Sequence, residues 1–119
     1  MAMFRKKPVV ILARFFDGSL ASANRIRDWS DNKIDIDVHN NFRDNKTIVI
    51  LKVHTLEGVM SAVANTVVIK GVEGEYYPCR KDIFLKTYEP MPDHKESSDM
   101  WKDMESAYES DSREDNTNK

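Results

Sequence analysis

The 119 residues hold one cysteine, four glycines and four prolines, and no apolar run approaches the roughly 20 residues a helix needs to cross a bilayer. One thiol cannot close an internal disulfide, so a stapled secreted scaffold is excluded and a reducing compartment is expected. The basic start Arg5-Lys6-Lys7 leads into Pro8 and a short alternating segment, not into an apolar stretch with a small-residue cleavage site, so no leader is expected. These lacks point to a cytoplasmic protein without a membrane partner. The length allows one modest core and not two.

The near-neutral net charge of −2 hides a division. Residues 93–119 carry four Lys/Arg against nine Asp/Glu, whereas residues 1–92 carry fourteen against eleven. A boundary is expected at Pro90-Met91-Pro92, where two prolines interrupt regular structure. Residues 1–92 then form one domain and residues 93–119 an acidic, largely flexible tail.

Within the domain, residues 7–16 have the β-branched and aromatic content of a strand, with Pro8 tolerated at its start. Asp17-Gly18 makes a turn, and Ser19 is a suitable N-cap for a helix to about Trp29. Leu20, Ala23, Ile26 and Trp29 form its apolar stripe. Ile34–His39 alternates strictly, as a strand with one wet face does, and Thr47–His54 reads as a central strand. Leu56-Glu57-Gly58 and Ala64-Asn65-Thr66 are turns around Val59–Val63, and Val67–Lys70 is the next strand. Gly71–Gly74 reverses the chain so that Glu75-Tyr76-Tyr77 pairs back along Val67–Ile69, with Pro78 ending the pairing. Arg80–Leu85 is expected as a helical turn and Lys86–Glu89 as a last short strand. The sum is an α+β fold: an antiparallel sheet of five or six strands, with one helix after the first. In the tail, Met100, Trp101, Met104 and Tyr108 share a helical stripe with Ser98 as its cap, followed by a disordered end, Ser110–Lys119. That stripe needs a cover, either this domain or a partner, and is a candidate partner-binding surface.

Catalytic and metal chemistry find little support in the pattern. Cys79 and His54 form the one pair with a nucleophile and a base, but no orienting Asn or Asp is identifiable, and packing is the favoured role for a cysteine beside proline. His39, His54, His94 and Cys79 lack metal-ligand spacing, and no cofactor is expected. Gly71 and Gly74 lack the Lys-Ser/Thr continuation of a phosphate loop. Tyr76, Tyr77, Arg80 and Lys81, with Lys70 across the hairpin and His54 nearby, are candidate ligand-binding residues, because aromatic faces flanked by cations suit a base and a phosphate. General nucleic-acid affinity is not expected from the net charge and acidic tail.

The segment Lys70-Gly71-Val72-Glu73-Gly74-Glu75-Tyr76-Tyr77-Pro78-Cys79 with Asp82-Ile83-Phe84 and Thr87-Tyr88-Glu89-Pro90 resembles a motif of small phage and prophage proteins, KGV-x-GE-(F/Y)-YPC-x-x-DIF-x-x-TYEP. Phe4–Val9 is similar to their opening, and Thr55-Leu56-Glu57-Gly58 to their TLEG turn. The resemblance spans most of residues 3–90 and brings no catalytic residues with it. It implies a non-enzymatic accessory protein of the host cytoplasm that binds and neutralises a host protein or a nucleotide signal. The competing expectations are a small nucleotide-directed enzyme using Cys79 and His54, and a phage structural or scaffolding part. An exposed sheet edge and the Met100/Trp101/Met104 stripe would both be relieved by a homodimer.

Overall fold

A computed structural model describes residues 1–117, with side chains through residue 106. Its elements run β1 (Leu12–Phe16), α1 (Leu20–Trp29), β2 (Ile34–Asn41), β3 (Lys46–Thr55), β4 (Gly58–Ala62), β5 (Thr66–Lys70), β6 (Tyr76–Arg80), α2 (Lys81–Thr87) and α3 (Lys95–Thr117). This is the expected α+β class, with six antiparallel strands. They form two sheets of three strands, ordered β1-β5-β6 and β2-β3-β4, instead of one continuous sheet.

Local chemistry sets the first helix. The Ser19 hydroxyl accepts from the Ser22 amide at 3.1 Å, capping one otherwise unpaired first-turn donor. Gly18 before it has φ +96, and a Cβ there would sit 2.7 Å from that of Ala64, so the turn admits only glycine without strain. The helix buries Ala23 and Ile26, while Leu20, placed on the same stripe by its spacing, stays half exposed.

Three layers result. On one side of the β1-β5-β6 sheet, Phe16, Val68 and Tyr76 pack with Ala23 and Ile26 of α1 and with Ile34, Leu51 and Val53 of the second sheet. On its other side, Val67 and Ile69 pack with Phe84 of α2 and Met104 of α3. The middle sheet is therefore covered on both faces, which explains the unbroken apolar run of β5. Each fully buried aliphatic or aromatic side chain contributes about 1.5–3 kcal/mol.

Several local expectations are corrected. The first strand pairs only over Leu12–Phe16, because β5 ends at Lys70 opposite Leu12. Pro78 does not end the β5–β6 pairing, which continues to Thr66 opposite Arg80. The Gly71 amide donates to the Glu75 carbonyl at 2.7 Å and the Lys81 amide to the Asn65 carbonyl at 3.3 Å, so the bonded positions of this ladder are odd-numbered. Pro78 consequently points its nitrogen away from β5, on an edge strand where a missing donor is tolerated. Lys86–Glu89 is not a strand: α2 continues through Thr87, and Tyr88 turns back to stack on Phe84 at 4.9 Å. The tail helix begins at Lys95, capped by His94 and not Ser98: the His94 Nδ1 accepts from the Ser97 amide at 3.2 Å. The expected end at Ser110–Lys119 falls on residues whose side chains, and for 118–119 the backbone too, lie outside the described residues.

Candidate functional site

The aromatic-cationic cluster proposed from sequence is taken apart by strand geometry. Successive residues of β6 point to opposite faces. Tyr76 enters the first core, 5% exposed and edge-on to Trp29 at 5.5 Å, with the Lys70 ammonium 5.7 Å from its ring. Tyr77 enters the second, where burial and a hydrogen bond with Tyr88 push its hydroxyl up to about 12. Lys81 is 5% exposed at the start of α2. Arg80 alone is exposed, and its guanidinium pairs with Asp82 at 2.7 Å. These residues present no common platform on which a base could stack.

Cys79 and His54 are not brought together either. Cys79 packs into the second core and donates weakly to the Arg80 carbonyl, and burial, with the Asp82 charge, pushes its thiol up against the opposing charge of Lys6. A thiol held protonated is a poor nucleophile. His54 lies on the outer face of the second sheet with its Nε2 3.0 Å from Asp35, and shares a shallow cleft with Tyr76 and Glu75. No group of three His, Cys, Asp or Glu side chains among the described residues could hold a metal ion.

The tail residues Met100, Trp101 and Met104 are covered by the chain itself. Met104 is completely buried against Val67, Ile69 and Phe84, and Trp101 lies 6.5 Å from Phe84. Met104 therefore cannot serve the partner-binding role expected from its sequence. The Tyr108 side chain lies outside the described residues.

What the structure offers instead is a groove of about 640 Å³ running along the outer edge of β1, between α1 and α3. β1 is the edge strand, with β5 on one side only. Its even residues turn toward β5, and the Phe16 carbonyl accepts from the Asn65 amide at 2.8 Å. Its odd residues turn toward the groove. There the Phe15 carbonyl is closed off by the Ser22 hydroxyl, which donates to it at 3.2 Å, but no hydrogen bond from another element meets Ala13, Ile11 or Val9 among the described residues.

The walls give this edge its character. Arg14 lies against the Trp29 ring at 5.8 Å and pairs with Glu96 of α3 at 3.1 Å, bridging the two walls over the strand. Five carboxylates, Asp17, Glu89, Glu96, Asp99 and Asp103, line the groove against Arg14 and Arg25. Burial raises the Asp17 carboxyl, but hydrogen bonds from Ser19 and the Arg25 charge outweigh it and hold the group below its ordinary range. The groove is apolar along its floor and acidic at its rim. Sequence reasoning identified the strand but not its open edge; the signal was an eight-residue segment of strand-like composition, Val9–Phe16, broken only by Arg14 and longer than the five residues of the strand that pairs with it.

No helix of the described residues is long and apolar enough to cross a membrane. No family model matches this chain, and searches of the curated proteins and of the solved structures find no match.

Proposed function

We propose that this chain is a non-enzymatic binding module that neutralises a protein partner by taking an extended segment of it along the open edge of β1. The observation that carries the reading is the open edge of β1 at Ala13, continued by Ile11 and Val9 along the floor of the α1–α3 groove with no strand paired to them. Strand addition supplies main-chain hydrogen bonds, and the flanking walls supply selectivity. The acidic excess of the lining favours a segment with apolar alternation and a basic flank. The resemblance of Gly71–Phe84 to phage accessory proteins makes a host protein the expected class of partner. A nucleotide signal is the weaker reading, because Tyr76, Tyr77 and Lys81 are drawn into two separate packing environments.

Titration calorimetry with synthetic peptides tests this. An alternating valine-isoleucine peptide with a lysine-arginine flank should bind, more weakly as salt is raised, and its aspartate-flanked counterpart should not. The Ala13→Pro variant should lose binding while keeping its circular dichroism, since the amide removed faces the groove and not β5. Equal binding of both peptides, or undiminished binding to Ala13→Pro, would refute the proposal.

A further inference from the structure

The chain itself contains a segment of the chemistry the groove selects. Arg5 and Lys7 precede Pro8, and Val9, Val10 and Ile11 lead directly into β1. Although Val9–Phe16 is apolar apart from Arg14, β5 reaches only as far as Leu12, so Val9, Val10 and Leu12 remain 44%, 65% and 57% exposed. This segment cannot fold back onto the edge it extends; it can meet only the edge of another molecule. We propose, building on the groove reading, that a second copy of this chain occupies the groove, through antiparallel pairing of residues 9–13 about a two-fold axis at Ile11, and that this dimer is the resting state a partner must displace.

Backbone geometry selects that axis. Continuing the alternation of β1 through residues 9–11 puts the amides and carbonyls of Val9 and Ile11 on the same side as those of Ala13, so an axis at Ile11 places Ile11 opposite its own counterpart and Val9 opposite Ala13 of the second copy. All three are then hydrogen-bonded positions, giving about six new main-chain bonds. An axis at Leu12 would set Val9 against Phe15, whose carbonyl Ser22 already occupies. In the Ile11 register Val10 faces Leu12 of the second copy at a non-bonded position, where side chains approach most closely. The two pairs bring together the exposed apolar residues of this face. The same register sets Arg5 opposite Asp17, the groove carboxylate held ionised, while Lys6 stays on its own chain's Tyr88, donating to the hydroxyl at 3.2 Å. The contact is short, so the dimer is a reversible one.

Sedimentation velocity over a wide concentration range, with charge variants, tests the register. The natural chain should pass from monomer to dimer. Val10→Glu and Leu12→Lys alone should each weaken self-association by more than about tenfold, because each sets a charge against an apolar side chain. Both positions are exposed in the monomer, so circular dichroism should be unchanged. Mixing the two variants should restore the dimer, since Glu and Lys then face each other while Leu12 faces Val10. A natural chain that stays monomeric, single variants that still dimerise, or a mixture that does not recover would each overturn the inference. The groove reading is judged separately on the natural chain diluted until it is monomeric, which should still bind the basic-flanked peptide in preference to the aspartate-flanked one whether or not the chain self-associates at higher concentration.

Discussion

Replacing Met104 with alanine tests whether the acidic tail is part of the folded domain. Met104 is the one described residue of α3 with no exposure at all, and it closes the second core over Val67, Ile69 and Phe84. Removing its thioether end leaves a cavity beneath a helix whose next contacts, Met100 and Trp101, are only partly buried. Truncations of this kind cost about 2–5 kcal/mol, and a site under a single covering helix that can settle inward belongs near 2–3. For a domain of this size that is a fall in Tm of roughly 10 °C. Urea unfolding followed by tryptophan fluorescence, which reads Trp101 beside the cavity, and by far-ultraviolet circular dichroism should give coincident, lowered midpoints. Asp103→Ala, one residue away on the exposed side of the helix, should change stability by less than about 0.5 kcal/mol. If Met104→Ala proved as mild as Asp103→Ala, α3 would not be seated on the sheet and the groove would lose a wall.

Further outcomes follow from the same geometry. Ser19→Ala should lower stability by about 1 kcal/mol in thermal unfolding, through loss of the cap on Ser22. Gly18→Ala should cost about 1–3 kcal/mol, since it meets both a positive φ and the side chain of Ala64. Tyr77 ionises near 10 when unfolded and near about 12 when folded, so the unfolded chain loses its proton first and stability should fall as pH rises between those values. Tyr77→Phe should remove that alkaline limb from a pH series of urea midpoints. Cys79 should react slowly with a thiol reagent at neutral pH and rapidly once the protein is unfolded, because burial and Asp82 keep its thiol protonated.

The elements governed by neighbouring residues were legible in the sequence. Gly18 and Ser19 announce α1, and the alternation of Ile34–His39 announces β2, because turn and cap chemistry and side-chain period act over a few positions. Which strands become neighbours depends on contacts far apart in the chain. A period of two says that β1 has two faces, yet nothing in it says that β5 will lie on one edge and solvent on the other. For the same reason Pro78 was misread as a stop: its cost depends on which way its nitrogen points in a ladder that only the register defines. The adjacent tyrosines show the limit of reading a site from density alone. Tyr76 and Tyr77 are neighbours in sequence and face opposite cores, so the stretch richest in unusual residues is a hairpin buried on both sides, while the open groove lies beside residues of ordinary composition.

An open strand edge carrying valines and isoleucine is a hazard as well as a binding surface, since it can template unlimited pairing. Here the open window is short because each end is closed by a different device. Ser22 occupies the Phe15 carbonyl at one end, and the Pro8 ring fixes φ away from the sheet value at the other. Five residues remain, with outward groups at Val9, Ile11 and Ala13, symmetric about Ile11. A window of that form would pair with a copy of itself in a closed two-fold arrangement that uses the edge completely, leaving nothing on it for a third copy to extend. The opposite edge of the same sheet, β6, is protected in its own way by Pro78, whose nitrogen faces outward in the middle of the strand. On the proposed reading, the exposed apolar residues ahead of β1 would be confined to one partner at a time: a second copy at rest, or the extended basic segment of a target protein that competes for the same groove.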